Sequence, residues 1–240
     1  MSSYPPPYNP STYNYSAEVT SASRISQVMK RVYANMTLAL LVTGFVSYFC
    51  GHSAAYFNFL IQNTWMMWVL IFAELGIVIG VSAGINKLST ATATLLFYIF
   101  AVINGLMLST IFLGYSEGSI AKTFFITAGT FAAMSVYGFC TNRDLTRMGN
   151  FLFMALIGLI IASLVNIFLK SDGLGWIISI AGVLIFVGLT AWDTQQIKKM
   201  AQIAPGDTLG RLAVLGALSL YLDFINLFLY LLRFFGASRD

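Results

Sequence analysis

Seven long apolar segments, separated by short polar connections, follow a polar start of the chain. They cover residues 33–50, 65–86, 90–113, 122–140, 149–169, 174–197 and 211–235. A helix needs about 17–25 apolar residues to cross a bilayer, and long runs without alternation favour helices over a membrane barrel. The pattern therefore predicts an all-α integral membrane protein with seven transmembrane helices over residues 24–240. The short connections predict antiparallel neighbours.

Residues 1–23 have a different character from the rest of the chain. Their sequence, MSSYPPPYNPSTYNYSAEVTSAS, is rich in Pro, Tyr and Ser and lacks an apolar signal core, which predicts a disordered cytoplasmic tail. The stretch RISQVMKRV, residues 24–32, then mixes basic and apolar positions. We interpret it as an amphipathic entry into the first span.

Composition and charge support a membrane location. Hydrophobic residues make up 58% of the chain and charged residues only 9%, against about 25% in soluble domains. A cytoplasmic N-terminus places 9 of the 13 Lys and Arg on the inside, which predicts a multi-pass membrane protein in that orientation. Seven spans put the C-terminus outside, although a last segment that dips and returns would bring Arg233 and Arg239 inside. Nothing indicates a nucleic-acid partner.

Several kinds of chemistry are disfavoured by the residue inventory. The only histidine, His52, falls in a short loop, so we expect neither a zinc site nor a Ser–His dyad inside the membrane. Cys50 and Cys140 lie near opposite membrane faces and are expected to be unpaired. No phosphate-binding loop occurs. We therefore expect a protein that is not an enzyme and has no cofactor.

Three acidic residues, Glu74, Asp193 and Asp223, fall inside predicted spans. An ionisable residue at the centre of a membrane helix costs about 2.5–3.5 kcal/mol or more, and it usually faces a bundle interior or a water-filled cavity. Asp223 belongs to a stripe on one face of the seventh segment, formed by Gly216, Ser219, Asp223, Asn226, Tyr230 and Arg233. This stripe predicts a central helix facing a polar cavity. A packing seam held by hydrogen bonds is the alternative, above all for Ser219 and Asn226.

Asp193 and Asp223 are predicted to be neighbours. Asp193 lies five residues before Lys198, about 7 Å along its helix, and Asp223 lies 12 residues beyond Arg211, about 18 Å along the next helix. Two carboxylates in contact cannot both ionise cheaply, so they would titrate as a unit and could sense pH or ligate Ca²⁺. In the alternative, Asp193 pairs with Lys198 or Lys199.

Glu74 lies in the outer half of the second segment, near Gly76, Gly80 and Gly84. The glycine spacing predicts close helix packing. Glu74 could form the outer mouth of a cation pathway, or it could hydrogen-bond to a neighbouring helix.

Several motifs together resemble the Bax inhibitor-1 (transmembrane Bax inhibitor motif) family, in its bacterial form. They are VYANMTLALLVTG, NGLMLSTIF, ITAGTFAAMSVYGFCTNRDLTRMGN, LTAWDTQQIKKM and LGALSLYLDFINLFLYLLRFFG, and they recur in order over about residues 26–236. The resemblance implies seven helices with the last enclosed by the other six. It also implies a pH-sensitive calcium leak governed by an aspartate pair, here Asp193 and Asp223.

The same resemblance implies a basic residue near the inner end of the second helix that closes onto the aspartate pair. Lys87 stands there in this sequence, without an arginine in the span, and Glu74 corresponds to the family glutamate. Two other functions remain open. One is a regulator that binds other membrane proteins, such as a membrane protease, through the tail at 1–23. The other is a proton-coupled transporter.

Overall fold

The chain is helical throughout the part that the structure describes. The computed structural model gives the backbone of residues 10–237 and the side chains of residues 21–237. Within these limits there are nine α-helices and no β-strand. The helices are α1 (Pro10–Gly51), α2 (Ala54–Gln62), α3 (Trp65–Gly84), α4 (Thr90–Leu108), α5 (Ile111–Gly114), α6 (Glu117–Cys140), α7 (Thr146–Leu169), α8 (Asp172–Ile203) and α9 (Leu209–Phe235).

Seven helical stretches are long and apolar enough to cross a membrane, which confirms the predicted class. They correspond to α1, α3, α4 with α5, α6, α7, α8 and α9. The short helix α2 was not predicted. It begins after Ser53, whose Oγ accepts a hydrogen bond from the backbone N–H of Tyr56 at 3.2 Å. Such a side-chain cap satisfies one of the free N–H groups at a helix start.

Two helices extend beyond the predicted spans. The first helix begins at Pro10, within the segment that was predicted to be a tail, while residues 1–9 lie outside the described residues; the disorder of the tail stays a prediction. Proline fits the first turn of a helix, and no other proline follows before Pro205 to interrupt it. At the other end of the chain, α8 continues past the predicted limit of residue 197 to Ile203. The predicted limit followed the apolar run, whereas the helix itself continues through Lys198 and Lys199.

The last helix is the central one, as predicted. In its most apolar window 72% of the residues are buried, against 6% to 44% in the other six candidate spans. The helices in closest contact with α9 are α1, α4, α6 and α8, while α3 packs against α4 and α7 packs against α8 from outside. The enclosing helices therefore form an inner ring of four and an outer pair.

The two ends of the described chain lie at opposite ends of the bundle. The backbone N–H of Ser116, just before α6, donates a hydrogen bond to the carbonyl of Ala237, just after α9. Ala22 and Ile25 of α1, by contrast, lie near Phe139 at the far end of α6. Since α9 is one continuous helix, a last segment that dips and returns is wrong. The cytoplasmic position of the N-terminus stays a prediction.

The glycines that bring helices close are not those that the sequence suggested. A Cβ at Gly138 on α6 would collide with the backbone carbonyl of Ala191 on α8, so these two helices touch through their backbones. A Cβ at Gly76 or Gly80 would meet no atom within 4 Å, so the predicted packing face on α3 is wrong. The spacing of small residues identifies a face, but it does not show whether another helix covers that face.

The contact at Gly138 predicts a measurable loss of stability on substitution. We expect Gly138→Ala to reduce the free energy of unfolding by about 1–3 kcal/mol, because the backbone of α8 has to move. The matched control is Gly129→Ala on the same helix, where a Cβ meets nothing within 4 Å. Thermal unfolding in detergent should show a lower Tm for the first variant only. Equal Tm values for the two variants would contradict the packing described.

The arrangement of the chain ends predicts accessibility from opposite membrane faces. In a background with Cys50 and Cys140 replaced by serine, we expect Asn142→Cys and Ala237→Cys to react with a membrane-impermeant maleimide from opposite sides of the membrane. Asn142 lies in the exposed connection between α6 and α7, and Ala237 follows α9. Labelling of both cysteines from one side would refute the three membrane crossings, by α7, α8 and α9, that lie between these two positions.

Candidate ion and proton site

The polar stripe on α9 faces α8. Gly216 lies against Ile197 of α8, where a Cβ would approach the isoleucine side chain to 2.9 Å. Further along the stripe, the ring of Tyr230 stacks on Phe186 with centroids 5.9 Å apart and also covers Gly182. At these positions the stripe is a packing seam between two helices, as the alternative interpretation held, and we call it the α8–α9 seam.

Asp193 and Asp223 meet within the α8–α9 seam. Asp223 is only 4% exposed and Asp193 is half-buried, and their carboxyl groups are close enough to hydrogen-bond. An ionised carboxylate only accepts hydrogen bonds, so a bond between the two requires a proton on one of them. The second oxygen of Asp223, Oδ2, is buried without a hydrogen-bond partner in the described protein. The pair therefore keeps an unused acceptor oxygen on Asp223.

The lysines that follow Asp193 bind elsewhere, so the alternative in which they pair with it is wrong. The ammonium of Lys198 donates to the carbonyl of Phe139 at 2.7 Å and lies over its ring. The ammonium of Lys199 pairs with Asp144 at 2.5 Å. This contact, together with hydrogen bonds from Thr146, lowers the pKa of Asp144 to about 2. The aspartate pair in the seam is left without either lysine.

A buried glutamine fixes the helix that carries Asp193. Gln195 is 5% exposed, and its side chain spans the connection between α6 and α7. Its Oε1 accepts from the backbone N–H of Leu145 at 2.9 Å, and its Nε2 donates to the carbonyl of Arg143 at 2.8 Å. Lys199, which binds Asp144, is a second attachment of α8 to this connection, and Lys198 binds Phe139 at the end of α6. The sequence offered no signal beyond one amide in an apolar helix.

The other candidate residues lie outside the contact between the carboxyl groups. Lys87 is exposed in the turn after α3, and among residues 21–237 no hydrogen bond or ion pair joins its side chain to Asp193 or Asp223. Asn226 donates to the carbonyl of Leu222 on its own helix at 2.8 Å. Ser219 is half-buried along the α8–α9 seam. Lys87 is therefore not in the closing position that the resemblance implied.

Glu74 belongs to a second polar cluster. Its Oε1 accepts a hydrogen bond from Nδ2 of Asn104 at 2.9 Å. The fully buried hydroxyl of Tyr221 donates to Oδ1 of Asn104 at 3.1 Å and lies 2.6 Å from Oγ1 of Thr43. Thr43 also donates to the carbonyl of Ala101 at 2.8 Å. The cluster joins α3, α4, α9 and α1, and sequence reasoning found only Glu74 among its members.

The two polar clusters lie on different sides of α9. Tyr221 and Asp223 are two residues apart, which places their side chains about 200° apart around the helix. Asp223 points to α8, whereas Tyr221 points to α4 and α1. The contact of Glu74 with Asn104 matches the interpretation of a hydrogen bond to a neighbouring helix. The central helix thus makes two polar contacts on opposite faces, one through the carboxyl group of Asp223 and one through the hydroxyl group of Tyr221.

The aspartate pair alone does not complete a calcium site. Among residues 21–237 no group of three or more His, Cys, Asp or Glu side chains is placed to hold a metal. Ca²⁺ takes six to eight oxygen ligands. Two carboxyl groups supply at most four, so water or backbone oxygens would have to provide the others.

Comparisons with known proteins agree with this architecture. The family model described as "Inhibitor of apoptosis-promoting Bax1" matches residues 25–240. Inner membrane protein YbhL of Escherichia coli K12 is 52% identical over 214 residues, which cover 88% of this chain and 92% of that protein.

Two relatives from other bacteria extend the match. An uncharacterized protein of Borreliella burgdorferi is 46% identical, covering 90% of this chain and 94% of its own length. Uncharacterized protein RP147 of Rickettsia prowazekii is also 46% identical, covering 95% and 99%. With seven candidate spans, these matches support a multi-pass protein of the inner membrane. The chain belongs to the Bax inhibitor-1 family.

Proposed function

We propose that this protein is a pH-sensitive calcium leak channel of the inner membrane, gated by Asp193 and Asp223. The observation that carries the proposal is the contact of two carboxyl groups inside the central α8–α9 seam. A membrane protein rarely keeps acids at such a position without a role in moving ions or protons. The protein is proposed to act by conduction, without enzymatic chemistry or a resident cofactor.

Proton and cation compete for the same oxygens in this mechanism. With one shared proton, the carboxyl groups hold each other and α8 stays against α9. When the proton leaves, two negative charges repel each other across the seam and attract a divalent cation. Occupancy by Ca²⁺ should therefore rise with pH, because a ligand must be deprotonated to bind metal. Separation of α8 from α9 would then open a route along the α8–α9 seam.

Closure in this proposal depends on the helices and not on a basic side chain. Lys87 lies in an exposed turn, so it is not assigned as the closing cation. The α8–α9 seam is instead sealed by fitted groups on both sides of the pair, such as Gly182 beneath the ring of Tyr230. Gln195, Lys198 and Lys199 hold the inner part of α8 in place.

Removal of one acid should remove the pH dependence. We expect Asp223→Asn to abolish the change in Ca²⁺ flux between about pH 6 and about pH 8, since a single carboxyl group cannot share a proton with an amide in the same way. The measurement is Ca²⁺ entry into liposomes that contain purified protein and a calcium indicator. A variant that kept both the flux and its pH dependence would refute the gating role of the pair.

Asp144→Asn is the matched control for this experiment. The hydrogen bond from Lys199 holds the pKa of Asp144 at about 2, below its ordinary value of 3.8. A lowered pKa means that the contribution of this ion pair is present above the ordinary value and is lost only as the pH falls towards 2. Asp144 therefore stays ionised throughout the measured interval. Its replacement should leave the pH dependence unchanged.

Glu74 provides a second comparison within the membrane. We expect Glu74→Gln to keep both the flux and its pH dependence, because a glutamine carbonyl can still accept the hydrogen bond from Asn104. The same liposome measurement applies, with Asp223→Asn alongside. A loss of flux in Glu74→Gln as large as in Asp223→Asn would place Glu74 in the conducting pathway and overturn its assignment as a helix contact.

A further inference from the structure

A long apolar groove separates α1 from α6. Both helices pack against α9 but make few contacts with each other. Two recesses lie between them, of about 530 Å³ and about 600 Å³, and both are lined by Leu40, Phe124 and Phe224. They follow one another along the helices, and we call them together the α1–α6 groove. Because α1 and α6 are candidate spans, this groove opens sideways into the hydrocarbon core of the bilayer.

The two ends of the α1–α6 groove differ in charge. At the C-terminal end of α1, Nε2 of His52 lies 2.9 Å from Oε1 of Glu117, and Glu117 lines the groove. At the other end, Lys30 and Lys198 line a further recess of about 610 Å³ together with Met29, Tyr33 and Phe139. Three of those residues also line the groove, so the basic recess is continuous with it.

Within residues 21–237 neither lysine has an acidic partner. The ion pairs in this range are His52–Glu117 and Lys199–Asp144. Lys198 is held at its position by the carbonyl and ring of Phe139, and it retains donors for a further group because an ammonium has three. Asp144, which shares a further recess with Lys198, is already paired with Lys199. Among the described residues, this end of the groove therefore carries two positive charges without a paired acid.

A buried hydroxyl without a hydrogen-bond partner lies in the wall of the groove. Ser135 lines it, is 4% exposed, and its Oγ has no hydrogen-bond partner among the described residues. On the same helix, three threonine hydroxyls each donate a hydrogen bond to the backbone carbonyl four residues earlier: those of Thr123, Thr127 and Thr130. The hydroxyl of Ser135 makes no such bond. It lies one turn, about 6 Å, deeper than Phe139. That depth below a phosphate is where the ester groups of a phospholipid begin.

We propose that the α1–α6 groove binds one anionic phospholipid. The phosphate lies between Lys30 and Lys198, an ester oxygen accepts the hydrogen bond of Ser135, and an acyl chain follows the apolar wall towards Phe124 and Phe224. The charge of the two lysines selects the anionic headgroup, and the lateral opening admits the lipid from the bilayer. This site lies outside the α8–α9 seam, and lipid binding is measured without reference to Ca²⁺ flux, so a failure of one proposal is distinguishable from a failure of the other.

Cys140 offers a native reporter of occupancy. It is exposed and lines the groove near the basic recess. In a Cys50→Ser background, we expect phosphatidylglycerol in mixed micelles to slow alkylation of Cys140 by an uncharged maleimide, compared with phosphatidylcholine. A lysine near an anionic lipid surface is worth about a fivefold change in binding. The double variant Lys30→Gln with Lys198→Gln should therefore lose at least about fivefold in apparent affinity for phosphatidylglycerol.

The control variant removes the same charge elsewhere. Lys87→Gln with Lys170→Gln lies outside the groove and should behave like the parent protein. Native mass spectrometry of the same samples should show retained phosphatidylglycerol in the parent and the control, and less in the groove variant. Thermal unfolding checks that every variant is folded.

Three results would overturn the proposal. The first is equal protection of Cys140 by phosphatidylglycerol and phosphatidylcholine, which would mean that any acyl chain fills the groove without selection. The second is unchanged protection in the groove variant. The third is equal protection by soluble glycerol phosphate, which would mean that the lysines form a free phosphate site without the lipid chain.

Discussion

The fit of α8 against α9 is the contact on which the rest of the molecule depends. It is the most extensive of the contacts that bury the central helix, and it also encloses two acids that no apolar environment would accept separately. Because the two carboxyl groups lie next to each other, a shared proton can lower the cost of their burial, but only while the helices remain together. Stability and charge state are therefore linked at one place. A change in protonation at the pair acts directly on the packing of the central helix, without a relay through distant parts of the protein.

The remaining helices support this contact in different ways. On the α6 side, the backbone contact at Gly138 and the side chain of Gln195 hold α8 rigidly. On the side of α1 and α4, the hydroxyl of Tyr221 joins α9 to its neighbours by hydrogen bonds. Between α1 and α6 the packing is open. The central helix is thus fixed by polar contacts on two sides and faces a lipid-accessible groove on a third.

Much of this arrangement could be predicted from the sequence, because the composition of a segment and the periodicity of its apolar residues are properties of a single helix. Span number, the buried last helix and the position of Asp193 beside Asp223 all follow from apolar runs, short connections and helix geometry. Which helix packs against each helix face could not be predicted. Gly76 and Gly80 have the spacing of a packing motif and face open space, whereas Gly138 meets a backbone. The sequence around Tyr221 and Asn104 does not indicate their contact, because a hydrogen bond between residues distant in sequence leaves no local pattern.

The burial of Asp223 also has a consequence for membrane insertion. The chain is made from its N-terminal end, so α9 is synthesised after every helix that surrounds it. Alone in lipid, its acid would cost about 2.5–3.5 kcal/mol. The connection from α8 is only the segment 204–208, which lets the two helices enter as a hairpin with their carboxyl groups already facing each other. Asp193, the partner of Asp223 in the α8–α9 seam, then also allows the last helix to leave the translocon and enter the membrane.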